Sequence, residues 1–253
     1  MEIGASVGPY LDRLETVPSA LSFVEFALGE GELPLAEFDP EATATRLAEC
    51  GFNGTVHLPY RQPLSTPVER LDTATRAYLE AVLDQAATAG VHTAVAHPSA
   101  RGAGHEFDQL ATRVAELAAR GRAHDVTVCV ETTGYAGGPE LERVGDLADQ
   151  GDVAVCLDIG YAYLEAGATG VEEFLDSYGD LVAHLHVHGA RHRGDTHIPV
   201  GSGDVDYERI GPSVAAAAPD VTATVEVFTD DSAYITRSAD RFRATLPDDS
   251  TAG

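Results

Sequence analysis

Lysine is absent from this 253-residue chain: its 16 basic residues are all arginine, set against 41 aspartates and glutamates for a net charge of −25. A chain so poor in positive charge has no basic stripe with which to grip a phosphate backbone, so a nucleic-acid partner is not expected. Dense carboxylates without lysine are the pattern of a protein adapted to high salt, where they keep the surface hydrated while ions screen everything else. Cysteine is scarce. Cys50, Cys129 and Cys156 make an odd number, and the last two sit inside apolar runs, so they read as reduced core residues rather than a disulfide framework. No apolar run approaches the roughly 18 residues of a membrane span. The opening MEIGASVGPY lacks the charged-then-apolar pattern of a secretion signal. A soluble, cytoplasmic protein without a membrane partner is the expectation. The dinucleotide fingerprint Gly-x-Gly-x-x-Gly is also missing after the first apolar run, which argues against an open, doubly wound nucleotide-binding sheet.

What is present is alternation. With 44% hydrophobic residues the chain can bury a full core. Eight strand-like runs occur: Ile3–Ser6, Phe23–Leu28, Thr55–Leu58, Val91–Ala96, Val126–Glu131, Val153–Asp158, 182–187 and Val221–Val227. Helix-like stretches lie between them. Asp39-Pro40 supplies an N-cap and a first-turn proline for a helix that Gly51 stops. Further helices are expected over about 67–89, 106–123, after Pro139, 170–178, 206–218 and 231–245. Eight such repeats imply a parallel sheet that closes into a single (β/α)8 TIM barrel, a fold of about 250 residues. The barrel is expected to occupy 1–246, with 247–253 as a disordered tail.

The polar residues fall where such a barrel would place a site. His57 closes the third strand, His97 the fourth, Glu131 the fifth and Asp158 the sixth; His186 lies at the end of the seventh and Glu226 at the end of the eighth. In a parallel barrel these C-terminal strand ends converge on one mouth. Glu131, Asp158 and Glu226 buried together would cost several kcal/mol each without a cation between them. The stretch 182–203 holds five of the ten histidines. Alternation puts His184, His186 and His188 on one strand face, and Asp195 and His197 are spaced to reach one ion. Imidazoles and carboxylates crowded at a strand end are the donors of zinc, manganese and iron sites. His184 reads as a buried, satisfied histidine, and Glu25 as a salt-bridge partner at the end of strand two.

The series VHLPY, AHP, VCVET, CLDIGYA, HLHVHG, DTHIPVGSG and TVEVF resembles the xylose-isomerase-like TIM barrels, the superfamily of endonuclease IV and many sugar isomerases and epimerases. The resemblance implies a central metal on Glu131, Asp158, His186 and Glu226. It also implies a second ion on His57 and His97, with Glu131 as the bridge. A third metal in the endonuclease IV branch uses the Asp195-x-His197 pair and a histidine where this chain has Tyr161. A phenol is a poor zinc ligand beside an imidazole, so two divalent ions are expected, zinc favoured over manganese or iron. Asp195 and His197 then hold a third ion weakly or act on substrate. FVEFALGE, HLHVHG with its DTH loop, and VEVFTDDSAY resemble the cobamide-remodelling phosphodiesterases within that superfamily.

Two chemistries compete. A phosphodiesterase needs paired metals and cationic donors for phosphate; Arg191 and Arg193 could supply the donors, and His188 could bind phosphate or brace His186. An isomerase or epimerase needs one metal and two carboxylates to move a proton, roles that Glu131 and Glu226 fit. Tyr60 and Tyr161 are candidate pocket walls. The extra histidines favour a phosphodiesterase of a small molecule, a cobamide for example, with a sugar or sugar-phosphate isomerase or epimerase as the alternative. The expected partner under either is a small molecule carrying phosphate or polyol groups.

Overall fold

The computed structural model describes residues 1–31, 33–102 and 107–247. Within them the chain forms a closed parallel barrel of eight strands in sequence order: β1 (Glu2–Gly8), β2 (Phe23–Ala27), β3 (Asn53–His57), β4 (Val91–Ala96), β5 (Thr127–Glu131), β6 (Ala154–Asp158), β7 (Val182–Val187) and β8 (Thr222–Val225). Seven α-helices follow β2 to β8 in turn: α1 (Pro40–Cys50), α2 (Glu69–Thr88), α3 (Phe107–Arg122), α4 (Leu141–Gly151), α5 (Ile159–Tyr178), α6 (Tyr207–Ala217) and α7 (Ser232–Arg243). After β1 a 3-10 helix, Leu11–Thr16, stands in the place of an α-helix. The expectation of one (β/α)8 barrel is borne out. The tail expected over 247–253 lies, beyond Pro247, outside the described residues, as does His105. No helix among the described residues is long and apolar enough to cross a membrane.

Period-two alternation divides the strands between two layers. Val128 and Val130, Val155 and Leu157, Leu185 and Val187, and Ala223 and Val225 join the core shared with the helices. The intervening residues point into the barrel, where small side chains (Val95, Cys129 and Cys156) form a separate buried cluster. They leave room for Glu25, His184 and Thr224, all buried. The helices start where their caps dictate. Asp39 accepts from Ala42 N at 2.9 Å, Asp206 from Arg209 N at 3.1 Å and Asp231 from Ala233 N at 2.9 Å.

Two of the boundaries that differ from expectation bear on the site. The α5 helix begins directly after β6, not near 170, because Asp158 caps it through Tyr161 N at 2.8 Å. The glycines of IGYAYLEAGATG mask this start in the sequence, and Gly167, at φ 68°, breaks the helix into two segments. Strand β8 ends at Val225, so Glu226 and Val227 lie just beyond it, in the rim of the barrel.

Candidate metal centre at the mouth of the barrel

The strand ends bring six chain-distant residues into one network. Glu131, the last residue of β5, is its hub. Its Oε2 lies 2.7 Å from His97 Nε2 and 3.3 Å from His57 Nε2, and its Oε1 lies 3.0 Å from His186 Nδ1. The same His186 nitrogen is 3.3 Å from Glu226 Oε2, which is in turn 3.2 Å from His197 Nε2. Asp158 meets His188 Nε2 at 3.1 Å. The donor atoms of Glu131, Asp158, His186 and Glu226 all lie within 4.8 Å of one another, as do those of His57, His97 and Glu131, and those of Asp158, His188, His197 and Glu226. A buried set of carboxylates and imidazoles with that spacing fits a divalent first-row ion. Glu226 Oε2 is buried between the His186 and His197 imidazoles without a well-aligned hydrogen bond to either, and a cation would complete its contacts.

The charges reinforce one another. Burial opposes ionisation of Glu131, but the His97 and His186 charges, with hydrogen bonds from His186 and His57, hold it well below the usual carboxylate range. Glu226 is held low in the same way, against burial, by His186 and His197. Burial pulls His57 down, yet the hydrogen bond and charge of Glu131 outweigh it and raise the imidazole to about 9. For His188 burial is likewise outweighed by the charge and hydrogen bond of Asp158, leaving it at about 9. The ionised carboxylates and strongly basic imidazoles thus neutralise one another.

Below this layer Glu25 faces inward. Its Oε2 is 3.2 Å from His186 Nε2 and 3.4 Å from Thr224 Oγ1. Against the effect of burial, His186 and His184 hold Glu25 down to about 2. His184 is fully buried and satisfied by Thr222 Oγ1 at 2.7 Å and Thr224 Oγ1 at 2.9 Å. Glu25 therefore fixes the ring of His186 from behind and leaves Nδ1 facing the two glutamates.

Above it opens a cavity of about 580 Å³, lined among others by His57, His97, Glu131, Tyr161, His197 and Glu226. Tyr60 also lines it, packed against His97 with ring centroids 5.2 Å apart. Tyr161 stands edge-on to His188 and His197 at 5.5 Å. Burial and the charges of Asp158 and Glu226 keep its phenol protonated. Four expected site residues take other positions. Asp195 turns to Arg191 Nη1 at 2.8 Å and Arg193 Nη2 at 3.0 Å, and it joins none of the ligand groups. Arg191 and Arg193 are thereby engaged on the loop and do not line the cavity. His188, expected to meet substrate, is fully buried beneath the cavity wall. The sequence reading overlooked Phe228. It is 74% exposed and stacks on His197 with centroids 4.2 Å apart and planes 5° from parallel. Its only sequence signal is its position two residues after Glu226, on the rim.

A closed (β/α)8 barrel with a carboxylate–imidazole centre at its C-terminal mouth defines the class of protein. Residues 20–245 match the family described as xylose isomerase-like TIM barrel, and the chain belongs to that family. No curated protein sequence matches it. Among solved structures, a D-psicose 3-epimerase from Clostridium cellulolyticum H10, determined with D-tagatose, is similar with a TM-score of 0.80 at 16% identity over 98% of this chain and 100% of that one. A D-tagatose 3-epimerase-like protein gives 0.79 at 15% identity, covering 97% of each chain. A xylose isomerase domain protein from Planctomyces limnophilus gives 0.74 at 12% identity, covering 96% of this chain and 95% of that one.

Proposed function

We propose that this protein is a divalent-cation-dependent epimerase or isomerase of a small sugar, not the phosphodiesterase that the histidine-rich sequence favours. The observation that carries this reading is the pair of ionised glutamates at one cavity floor. Glu131 arrives from β5 and Glu226 from the end of β8, 3.0 and 3.3 Å from the same His186 nitrogen. A cation held by Glu131, Asp158, His186 and Glu226 would polarise a substrate carbonyl and a neighbouring hydroxyl. One ionised glutamate would remove the proton from the carbon beside the carbonyl, and the other, after taking up a proton from solvent in the open cavity, would return one to the opposite face, the first then losing its proton to solvent. His57, held by Leu58 O at Nδ1, and His97 both meet Glu131 through Nε2 and orient it. Tyr161, kept protonated, donates to a substrate oxygen, and Tyr60 walls the cavity.

Two further observations support a sugar over a phosphodiester. The loop arginines expected to hold phosphate are paired with Asp195, and Arg13, on the cavity rim, is paired with Asp230 at 2.6 Å. The similar solved structures include one named as a D-psicose 3-epimerase and one named as a D-tagatose 3-epimerase-like protein. The cavity volume of about 580 Å³ suits a small, polar ligand.

The test is incubation of the Mn²⁺- or Co²⁺-loaded protein with a panel of ketoses, with products separated by chromatography. A new epimer or isomer is the expected result. Hydrolysis of bis-p-nitrophenyl phosphate with every ketose unchanged would favour the phosphodiesterase instead, with His57, His97 and Glu131 as its additional ion site.

A further inference from the structure

We infer, resting on the proposed sugar chemistry, that Arg13 and Asp230 set the charge selectivity of the cavity. Paired across its rim, they admit an uncharged sugar end and turn away a phosphorylated or carboxylated one. Both residues line the cavity that also holds Glu131 and Glu226. Among the described residues lining it, Arg13 is the single arginine. Its Nη2 donates to Asp230 Oδ1 at 2.6 Å, linking the loop after β1 to the loop after β8.

Local structure holds both partners in place. Arg13 lies in the 3-10 helix after β1, which buried Leu14 anchors in the core and Arg46 Nη2 ties down by donating to Leu11 O at 3.0 Å. The guanidinium lies over the Tyr10 ring, 4.2 Å from its centroid, and this cation–aromatic contact sets its plane. Tyr10 lines the same cavity. Asp230 sits between two fixed points of its own loop. On one side Phe228 N donates to His197 O at 3.1 Å. On the other, Asp231 caps α7 through Ala233 N at 2.9 Å, and its own N donates to Thr229 Oγ1 at 3.1 Å.

The pair does little for stability: the two side chains are 38% and 89% exposed, and exposed ion pairs add little to folding. Its effect is on what meets the guanidinium. Left without a carboxylate, a guanidinium at a cavity rim is a bidentate donor for phosphate or for a sugar acid. Asp230 takes that place and cancels the charge. A ketose whose carbonyl end lies at the floor, between Glu131 and Glu226, presents its far end to the rim. Hydroxyls there can accept from Arg13 and donate to Asp230 while the pair stays intact. A phosphate would have to displace the Asp230 carboxylate and then lie beside it, on a chain of net charge −25.

The test sets D-fructose and D-tagatose against their 6-phosphate esters on the Mn²⁺-loaded protein, reading the ratio of kcat/KM values and, by calorimetry, the dissociation constants. Wild-type protein is expected to favour the uncharged sugar. Asp230→Asn keeps the size of the side chain and removes its charge. The ratio should then move toward the phosphate ester by about tenfold or more, the scale of one charge-assisted hydrogen bond. Phosphate can also reach the bound cation, so Arg13→Gln/Asp230→Asn is the control. It should bring the ratio back to within about threefold of wild type, since the gain passes through Arg13. An unchanged ratio in Asp230→Asn, a gain that survives in the double variant, or a wild-type preference for the ester overturns the inference. If a ketose is epimerised in those cases, the proposed function still stands. Where no ketose is turned over, the proposed function fails and the dissociation constants decide alone. Tighter binding of the esters by Asp230→Asn, lost in the double variant, then supports the role of the pair, and unchanged binding overturns it too.

Discussion

Glu226 Oε2, buried between the imidazoles of His197 and His186 at 3.2 and 3.3 Å, is the atom on which the chemistry turns. Replacing either glutamate by its amide keeps the shape and removes a proton carrier and a ligand charge. Glu131→Gln and Glu226→Gln should each lower kcat for sugar turnover by a factor on the order of 10²–10⁴, and steady-state kinetics checks it. Tyr161→Phe removes one donor from the cavity wall. It should raise KM or lower kcat about tenfold, the scale of one hydrogen bond to a polar substrate, while circular dichroism shows an unchanged fold. At this scale the sequence was informative where a regular rule applied. Alternation placed His184, His186 and His188 on one face, and strand ends gathered His57, His97, Glu131 and Asp158. It misled where only local spacing was available. Asp195 and His197 are two apart, but Arg191 and Arg193 offer Asp195 nearer partners, and no strand periodicity fixes which way a loop side chain points. The role of Phe228 depends on a ring contact with His197, a residue of a different loop, which linear order does not show.

Among the elements, the junction of β6 with α5 positions the most. Asp158 ends the strand, caps the helix through Tyr161 N at 2.8 Å and meets His188 at 3.1 Å. Asp158→Asn retains an acceptor for the cap and loses the charge; Asp158→Ala loses both. Chemical denaturation should therefore show Asp158→Ala less stable than Asp158→Asn by about 1 kcal/mol, the typical worth of an N-cap, whereas both should lose cation affinity. Gly160 in the first turn of α5 is packed against the His188 ring. Gly160→Ala should cost roughly 1–3 kcal/mol through overpacking, seen as a lowered Tm. The sequence disclosed the strands well, because β-branched runs such as VTVCVE fit few other structures. It hid the start of α5, because Gly160, Gly167 and Gly170 resemble a loop while the cap and the barrel wall hold Ile159 onward in a helix.

For the whole molecule, the barrel was legible from eight alternating repeats in about the right length, and its closure from β1 to β8 follows. The choice between hydrolysis and epimerisation was not, since both use the same strand-end ligands. It depends on which arginines face the cavity, a property of the folded loops. The net charge of −25 is a property of the molecule as a whole, and self-repulsion among those carboxylates weakens as salt is added. Raising KCl from about 0.1 to 1 M shortens the Debye length from roughly 10 to 3 Å, so Tm should rise over that interval; a flat or falling Tm would count against salt adaptation.

The most direct measurement is proton NMR of a ketohexose incubated in D₂O with the Mn²⁺-loaded protein, the ion removed before the spectrum is recorded. Deuterium entering at a carbon adjacent to the carbonyl, together with a second epimer or isomer, and both lost in Glu131→Gln, is the predicted result. Ketoses that retain every carbon-bound proton, while bis-p-nitrophenyl phosphate is cleaved by the same preparation, would contradict it.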